Sequence, residues 1–222
     1  MRKISDLGAT EIRILGALLE KEQATPDYYP LTMSSLVAAC NQKSNRDPVT
    51  SLTAGEIAEV LEALRRDVLV WRGRGPRSEN WSQSVSRRLE LDAEEKAVLT
   101  LLILRGPQTA GELRGRSQRL HTFTSVEQVE AALERLAATS RELVLELERR
   151  PGQKERRWMH RLSGEGAEDY EPAPAPVAGR QGKRSVASPL EVRVAALEAR
   201  LERLEEALKG LIEEPRGLDP EA

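Results

Sequence analysis

The sequence repeats its own hydrophobic pattern, and this repeat limits which folds the chain can adopt. Apolar residues at helical spacing in the first half are matched by apolar residues at the same spacing in the second half. The matched positions are Leu15, Leu18 and Leu19 with Leu99, Leu102 and Ile103, and Ile57, Val60, Leu61 and Leu64 with Val129, Ala132, Leu133 and Leu136. We therefore predict two copies of one small domain, residues 1–86 and residues 87–162.

Each copy is predicted to contain three helices followed by a β-hairpin. In the first copy the pattern predicts a helix over residues 9–22, a helix with Thr32 as N-cap, and a third helix opened by a Thr53–Glu56 capping box. The second copy has matching caps at Thr109 with Glu112 and at Ser125 with Gln128. The predicted strands cover residues 28–31, 68–72, 79–83, 143–147 and 156–162, with a turn at 73–76. This order is that of a winged helix, so the predicted fold class is mainly α with small β-hairpins (α+β), as tandem winged-helix domains.

The remainder of the chain has a different composition. Residues 163–189 are rich in Pro, Ala, Gly and charge, which predicts a disordered, flexible linker. Residues 190–213 are predicted to form a coiled-coil helix, followed by a disordered tail over 214–222. The apolar seam of that helix is Leu190, Val194, Leu197, Leu201, Leu204, Leu208 and Leu211. Because such a helix is marginal alone, we expect a parallel homodimer. A trimer is the alternative, since Leu at the a positions does not strongly select dimers.

A polar loop follows the second predicted helix. Asn41 is expected to end that helix in the left-handed conformation, which Asn adopts at low cost. Two interpretations of the loop remain open. Its amides could tie the ends of the second and third helices together, or its polar groups could bind a phosphate or a partner backbone. The residues concerned are Asn41, Gln42, Lys43, Asn45 and Arg46, and we expect Lys43 and Arg46 to be exposed.

Several stretches resemble one bacterial protein family. They are YPL at 29–31 with ACNQKSNRDPV at 39–49, LLEK at 18–21, RGPQTAGELR at 105–114, and MH at 159–160 with SGE at 163–165. Together they are similar to uncharacterised protein family 0502, the YceH-like proteins, also called domain of unknown function 480. The resemblance covers about residues 7–162 and implies two consecutive winged helices. It implies no established activity.

Composition and motifs argue against several functional classes. The formal net charge is −2, lower than is usual for a nucleic-acid-binding protein. A single cysteine, no apolar leader and no long apolar run favour a cytoplasmic protein with no membrane contact. Cys40 lies on an apolar helical face and is expected to be a packing residue. With only His121 and His160 beside it, and no catalytic or nucleotide-binding motif, we expect no enzymatic activity, no cofactor and no metal site.

The charge distribution supports two hypotheses about function. Both predicted hairpins are basic, and in a winged helix the hairpin can contact a DNA backbone. The candidate nucleic-acid-binding residues are Arg72, Arg74, Arg77, Arg149, Arg150, Lys154, Arg156 and Arg157. The third helices are expected to expose carboxylates instead, at Glu56, Glu59 and Glu62 and at Glu127, Glu130 and Glu134. The sequence therefore predicts a DNA-associated protein that uses its wings, with double-stranded DNA as partner. The alternative is a protein–protein scaffold that uses the acidic helices.

Overall fold

The computed structural model describes residue 4 and residues 6–75, 78–149 and 155–163. Within these residues the chain has an α+β fold with small antiparallel sheets, as predicted. The helices are α1 (Ala9–Ala24), α2 (Met33–Cys40), α3 (Ala54–Arg66), α4 (Val85–Arg88), α5 (Ala93–Arg105), α6 (Ala110–Ser117) and α7 (Val126–Ala137). The strands are β1 (Leu31–Thr32), β2 (Val70–Arg74), β3 (Glu79–Gln83), β4 (Val144–Leu147) and β5 (Arg157–His160).

In the first half, α1, α2 and α3 pack on one another and on a three-stranded sheet of order β1-β3-β2. Trp81 on β3 lies opposite Leu31 on one side and Arg72 on the other, and its side chain is buried in the core. The predicted caps form: Thr32 accepts a hydrogen bond from the N–H of Ser35, and Thr53 and Glu56 complete a capping box. Local polar residues therefore fix where α2 and α3 begin.

The second half repeats this order with α5, α6, α7 and the β4–β5 hairpin. The capping box of Thr109 and Glu112 forms as predicted. At Ser125 only one of the two hydrogen bonds of the predicted capping box forms, so that prediction is wrong in part. Ser125 accepts from the N–H of Gln128, but the Gln128 side chain accepts from the N–H of Thr124. The amide therefore caps the residue before the N-cap.

The two halves share one hydrophobic core. α1 packs on α5 so closely that a methyl group added at Gly16 would lie 2.5 Å from Cγ2 of Ile103. Backbone hydrogen bonds also join the halves, from Leu7 N–H to Leu162 O and from Asp47 N–H to Leu104 O, both 2.9 Å. All described residues belong to one compact unit. The division of the chain into two domains, residues 1–86 and 87–162, remains a prediction from the sequence repeat.

Several boundaries differ from the sequence prediction. Helix α1 runs to Ala24 and not to residue 22. Residues Pro26–Tyr28 form a 3-10 turn, so the first strand starts later, at Leu31. The strand predicted at 68–72 is Val70–Arg74, because Val68 adopts a left-handed conformation (φ 58°) in the turn after α3. Gly73 and Arg74 are accordingly paired strand residues and not turn residues. The short helix α4, anchored by buried Val85, has no counterpart in the prediction.

The predictions for the C-terminal part concern residues outside those described. They are the linker beyond residue 163, the coiled coil with its seam, and the tail. Among the described helices, none combines the length and apolar character that crossing a membrane requires.

Candidate functional site

The polar loop after α2, residues 41–48 and here called the motif loop, is organised around Arg46. Its side chain is wholly buried, so the expectation that it is exposed is wrong. Its Nε and Nη2 atoms donate to the carbonyl of Ala39 at 3.1 and 2.8 Å. Nη2 also donates to Oε1 of Gln42 at 2.7 Å. Arg46 therefore closes the loop on the end of α2 and orients the Gln42 side chain.

A carboxylate from α1 neutralises the buried arginine. Glu20 accepts from Nη2 of Arg46 at 2.6 Å and from Nη1 at 3.1 Å. Burial raises the pKa of Glu20, but the hydrogen bonds and charge of Arg46 outweigh it and leave that pKa lowered. A fork-to-carboxylate pair of this kind fixes both geometry and ionisation. The motif loop is thus fastened to α1 as well as to α2.

Asn41 holds the start of α3 in place. Its Nδ2 donates to Leu52 O at 2.7 Å, and the Leu52 N–H donates to its Oδ1 at 2.8 Å. The Thr50 hydroxyl also donates to that Oδ1 at 3.1 Å. Asn41 therefore ties α2 to the segment entering α3, as the first interpretation of the loop proposed.

The expected backbone conformation of Asn41 is wrong, and the left-handed residue is Asn45. Asn41 has φ −93°, whereas Asn45 has φ 60°. The side chain of Asn45 does not reach α3. Its Oδ1 accepts from Nη1 of Arg105 on α5 at 3.1 Å. Lys43, between them, is exposed as expected. The motif loop therefore contacts the second half of the chain, which sequence analysis did not foresee.

A groove of about 360 Å³ lies between the motif loop, the end of α1, and α5 with α6. We call it the basic groove. Four cations and one carboxylate line it, with two amides of the motif loop: Lys21, Arg105, Arg116, Arg119, Glu20, Gln42 and Asn45. Burial, followed by the charge of Arg116, lowers the pKa of Arg105. The like charges in this groove are therefore close enough to repel one another.

Buried groups hold the walls of the basic groove. Gln108 is completely buried and donates from Nε2 to Leu101 O and Gly106 O. Its Oε1 accepts from Nη1 of Arg116 at 2.8 Å, which fixes that guanidinium. Arg46 fixes Gln42 in the same way from the other wall. Sequence periodicity carries no signal for either arrangement, because each partner lies in a different element.

The two hairpins carry fewer free charges than the sequence suggested. Arg72 lies near Glu62 (3.3 Å) and Glu79 (3.7 Å). Arg156 pairs with Glu146 at 3.0 Å, and Arg157 pairs with Glu112 at 3.0 Å. Arg74 and Arg149 are exposed and make no ion pair with any residue that the structure describes. Arg77, Arg150 and Lys154 lie outside the described residues.

The acidic faces of the third helices are exposed as predicted. On α7 all three carboxylates, those of Glu127, Glu130 and Glu134, face solvent. On α3, Glu56 and Glu59 are exposed, while Glu62 is partly covered by ion pairs to Arg65 and Arg72. A second groove, of about 610 Å³, lies between α7 and the β4–β5 hairpin. Its charged lining is mainly acidic: Glu130, Glu134, Glu146 and Glu155, with Arg149 and Arg156.

Cys40 and the histidines show no catalytic arrangement within the described part of the chain. Cys40 is fully buried, as expected, and burial raises the pKa of its thiol to about 12, so the reactive thiolate is scarce near neutral pH. His121 packs edge-on against Phe123. Across the described residues, no cluster of side chains has the composition of a metal site.

His160 lines a third cleft, of about 420 Å³, beside the start of α1. Burial lowers the pKa of this imidazole to about 4, and its Nδ1 accepts from the Leu162 N–H at 3.3 Å. Arg13 also lines the cleft. It donates from Nη2 to Pro48 O, and its Nη1 has no hydrogen-bond partner among the described residues. Burial, and then the charge of Arg46, lowers the pKa of Arg13.

Comparison with known proteins supports the resemblance drawn from the motifs. Residues 7–153 match the family model described as "Protein of unknown function, DUF480". A UPF0502 protein of Geotalea daltonii is 44% identical over 175 residues, covering 78% of this chain and 80% of that protein. A UPF0502 protein of Pseudomonas aeruginosa is 50% identical over 159 residues, covering 72% and 71%. One from Geobacter sulfurreducens is 43% identical over 196 residues, covering 86% and 90%.

Proposed function

The chain belongs to the bacterial family of proteins of unknown function DUF480, and we propose that it is a non-enzymatic, DNA-associated protein. In this proposal each half is a winged helix, and the β2–β3 and β4–β5 hairpins are the wings. The wings contact the phosphate backbone of double-stranded DNA. Such contacts give affinity without reading the DNA sequence. A regulatory role would then depend on other partners for its specificity.

One observation carries the proposal. Each hairpin holds an exposed arginine, Arg74 in one and Arg149 in the other, that pairs with no carboxylate of the described residues. An unpaired guanidinium breaks no ion pair when it binds a phosphate, whereas Arg156 or Arg157 must first give up Glu146 or Glu112. Arg74 and Arg149 are therefore the residues on which wing binding should depend.

The test is binding of the full chain to a random-sequence duplex at several salt concentrations. Each phosphate contact contributes about 0.9 to the slope of log affinity against log salt. Arg74→Ala with Arg149→Ala should weaken binding to every sequence and reduce the slope by about 2. Arg66→Ala with Arg87→Ala removes two exposed arginines outside the hairpins, and it should leave the slope unchanged. Equal slopes for the hairpin variant and the wild type would refute wing binding.

A protein–protein scaffold is the second candidate, favoured by the mainly acidic groove of about 610 Å³ beside α7. Carboxylates there would repel DNA but suit a basic segment of a protein partner. Glu130→Gln with Glu134→Gln should then abolish capture of that partner, while Arg74→Ala alone, outside this groove, should have no effect. If DNA is the partner, the same glutamine variant should bind duplex as well as wild type or more tightly.

We also propose a cytoplasmic homodimer joined through the predicted coiled coil at 190–213. Val194, Leu201 and Leu208 take the a positions, and Leu190, Leu197, Leu204 and Leu211 take d. Arg193 and Arg200 at g then face Glu198 and Glu205 at e in a parallel pair. Sedimentation of the full chain and of a chain ending at Gly164 should show a dimer and a monomer. A monomer in both would contradict the proposal.

A further inference from the structure

We propose that the basic groove between the motif loop and α6 is a binding site for phosphate groups. The site is separate from the hairpins, and it does not rest on the DNA-binding proposal. Its ligand is defined by chemistry: an oxyanion with several acceptor oxygens and more than one negative charge.

The groove has an excess of positive charge, which favours the binding of an anion. The cations Lys21, Arg105, Arg116 and Arg119 line it, against one carboxylate, Glu20. That carboxylate is already engaged by Arg46 at 2.6 Å and by Lys21 at 3.5 Å. Arg116 pairs with Glu112, which does not line the groove, at 3.5 Å, whereas Arg119 makes no ion pair with any described residue. An anion bound here would relieve the repulsion between Arg105 and Arg116, which favours its binding.

The groove also presents donors that are held in position. The Oε1 of Gln42 is occupied by Arg46, so the free atom of that amide is its donor Nε2. Buried Gln108 fixes the guanidinium of Arg116, and Asn45 holds that of Arg105. A donor already held by a hydrogen-bond partner loses less side-chain entropy on binding, above all where that partner is buried, as Gln108 and Arg46 are. Fixed guanidinium groups from two directions match a phosphate better than a carboxylate, since a phosphate offers more acceptor oxygens.

Three of the stretches through which the sequence resembles its family contribute residues to this groove. Lys21 ends the LLEK stretch, Gln42 and Asn45 belong to ACNQKSNRDPV, and Arg105 opens RGPQTAGELR. In the sequence these stretches are far apart, and their structural roles differ. The folded chain therefore brings side chains from these separate stretches together in one groove.

The phosphate could belong to a DNA backbone or to a small phosphorylated compound, and one experiment can separate the two. The probe is inorganic pyrophosphate, titrated calorimetrically into the full chain at low salt. We expect the wild type to bind it. Arg116→Gln with Arg119→Gln should weaken binding by at least about tenfold, because hydrogen bonds to charged groups are among the stronger ones. The control, Arg66→Gln with Arg87→Gln, removes the same charge outside the groove and should bind like wild type.

Loss of the Arg116 contact could disturb Gln108, so Arg119→Glu alone is a second variant. Arg119 is exposed and its side chain bonds to no described residue, so its replacement should leave the fold intact while weakening pyrophosphate binding.

Equal binding by wild type and both groove variants, or no binding by wild type, would overturn the proposal. If the groove variants also lose duplex DNA, the phosphate comes from a backbone. If they lose pyrophosphate alone, it comes from a small compound. Failure of the hairpin variant to change DNA binding affects only the function proposed above.

Discussion

Arg46 and Glu20 form a two-pronged ion pair that joins the motif loop to α1, with N–O distances of 2.6 and 3.1 Å. The arginine side chain is wholly buried and that of the glutamate is 14% exposed. The same guanidinium also satisfies the carbonyls of Ala39 and Asn45. One side chain thus holds the end of α2, the loop and α1 in a fixed relation.

We predict that Arg46→Met destabilises the protein by about 3–5 kcal/mol, the usual cost of leaving a buried charge without its partner. Arg46→Lys should also destabilise it, since a single ammonium cannot reproduce the fork to Glu20 and Ala39. Lys43→Met, at an exposed position of the same loop, should change the free energy of unfolding by less than about 0.5 kcal/mol. Urea unfolding of the three variants measures these values. A mild effect of Arg46→Met would mean that the buried pair contributes little.

Asn41→Ala should cost about 1–2 kcal/mol, because it leaves the carbonyl and the N–H of Leu52 without their partner. Asn45→Gly is the matched control. Glycine adopts the left-handed conformation of Asn45 freely, and the lost bond to Arg105 is exposed. Urea unfolding should place that control within about 0.5 kcal/mol of wild type. Equal losses for both variants would show that the Asn41 bonds have no special role.

Two glycines in helices give a direct test of the shared core. A Cβ at Gly16 would lie 2.5 Å from Ile103 Cγ2 and 2.8 Å from Leu104 Cδ2, so α1 and α5 would have to separate. Gly16→Ala should therefore destabilise the protein by about 1–3 kcal/mol. At Gly115 on α6 no atom lies within 4 Å of such a Cβ, and Gly115→Ala should be neutral or stabilise it by up to about 1 kcal/mol. Thermal unfolding of both variants measures the difference, and a stabilising Gly16→Ala would contradict the close packing.

Features set by neighbouring residues were predictable from the sequence. The caps at Thr32, Thr53 and Thr109 formed where a hydroxyl precedes an apolar helical pattern. The strand Glu79–Gln83 has the predicted bounds. Burial of Cys40 followed from its place on an apolar helix face. The caps depend on a bond three residues along the chain, and the strand and Cys40 follow from local patterns of apolar and polar residues.

Features set by distant partners were not predictable. Arg46 was expected in solvent, because arginine is rarely buried without a partner, and its partner Glu20 lies 26 residues earlier. The basic groove depends on how α6 packs beside the motif loop, which no local pattern specifies. The left-handed residue proved to be Asn45 and not Asn41 because the loop turns back toward α5. Among the hairpin arginines, only the structure distinguishes Arg74 and Arg149 from the paired ones.

Acid should destabilise the protein through His160. Burial lowers the pKa of His160 to about 4, below the value near 6.5 of an unfolded histidine. Between pH 6.5 and 4 the unfolded chain therefore binds a proton that the folded chain does not, so the free energy of unfolding falls as pH falls. The two pKa values set an upper bound of about 3 kcal/mol for this loss, which is complete near pH 4. Protonation would also break the bond that His160 Nδ1 accepts from Leu162.

Urea unfolding at several pH values tests this origin of acid sensitivity. His160→Gln keeps a side-chain acceptor and does not titrate, so its stability should fall less than that of wild type between pH 6.5 and 4. His121→Gln removes the other histidine, which packs against Phe123 outside the cleft, and should keep the wild-type dependence. Parallel pH profiles for wild type and His160→Gln would mean that acid destabilises the protein through its carboxylates alone. A flattened profile for His160→Gln, with an unchanged one for His121→Gln, would assign the loss to the imidazole beside α1.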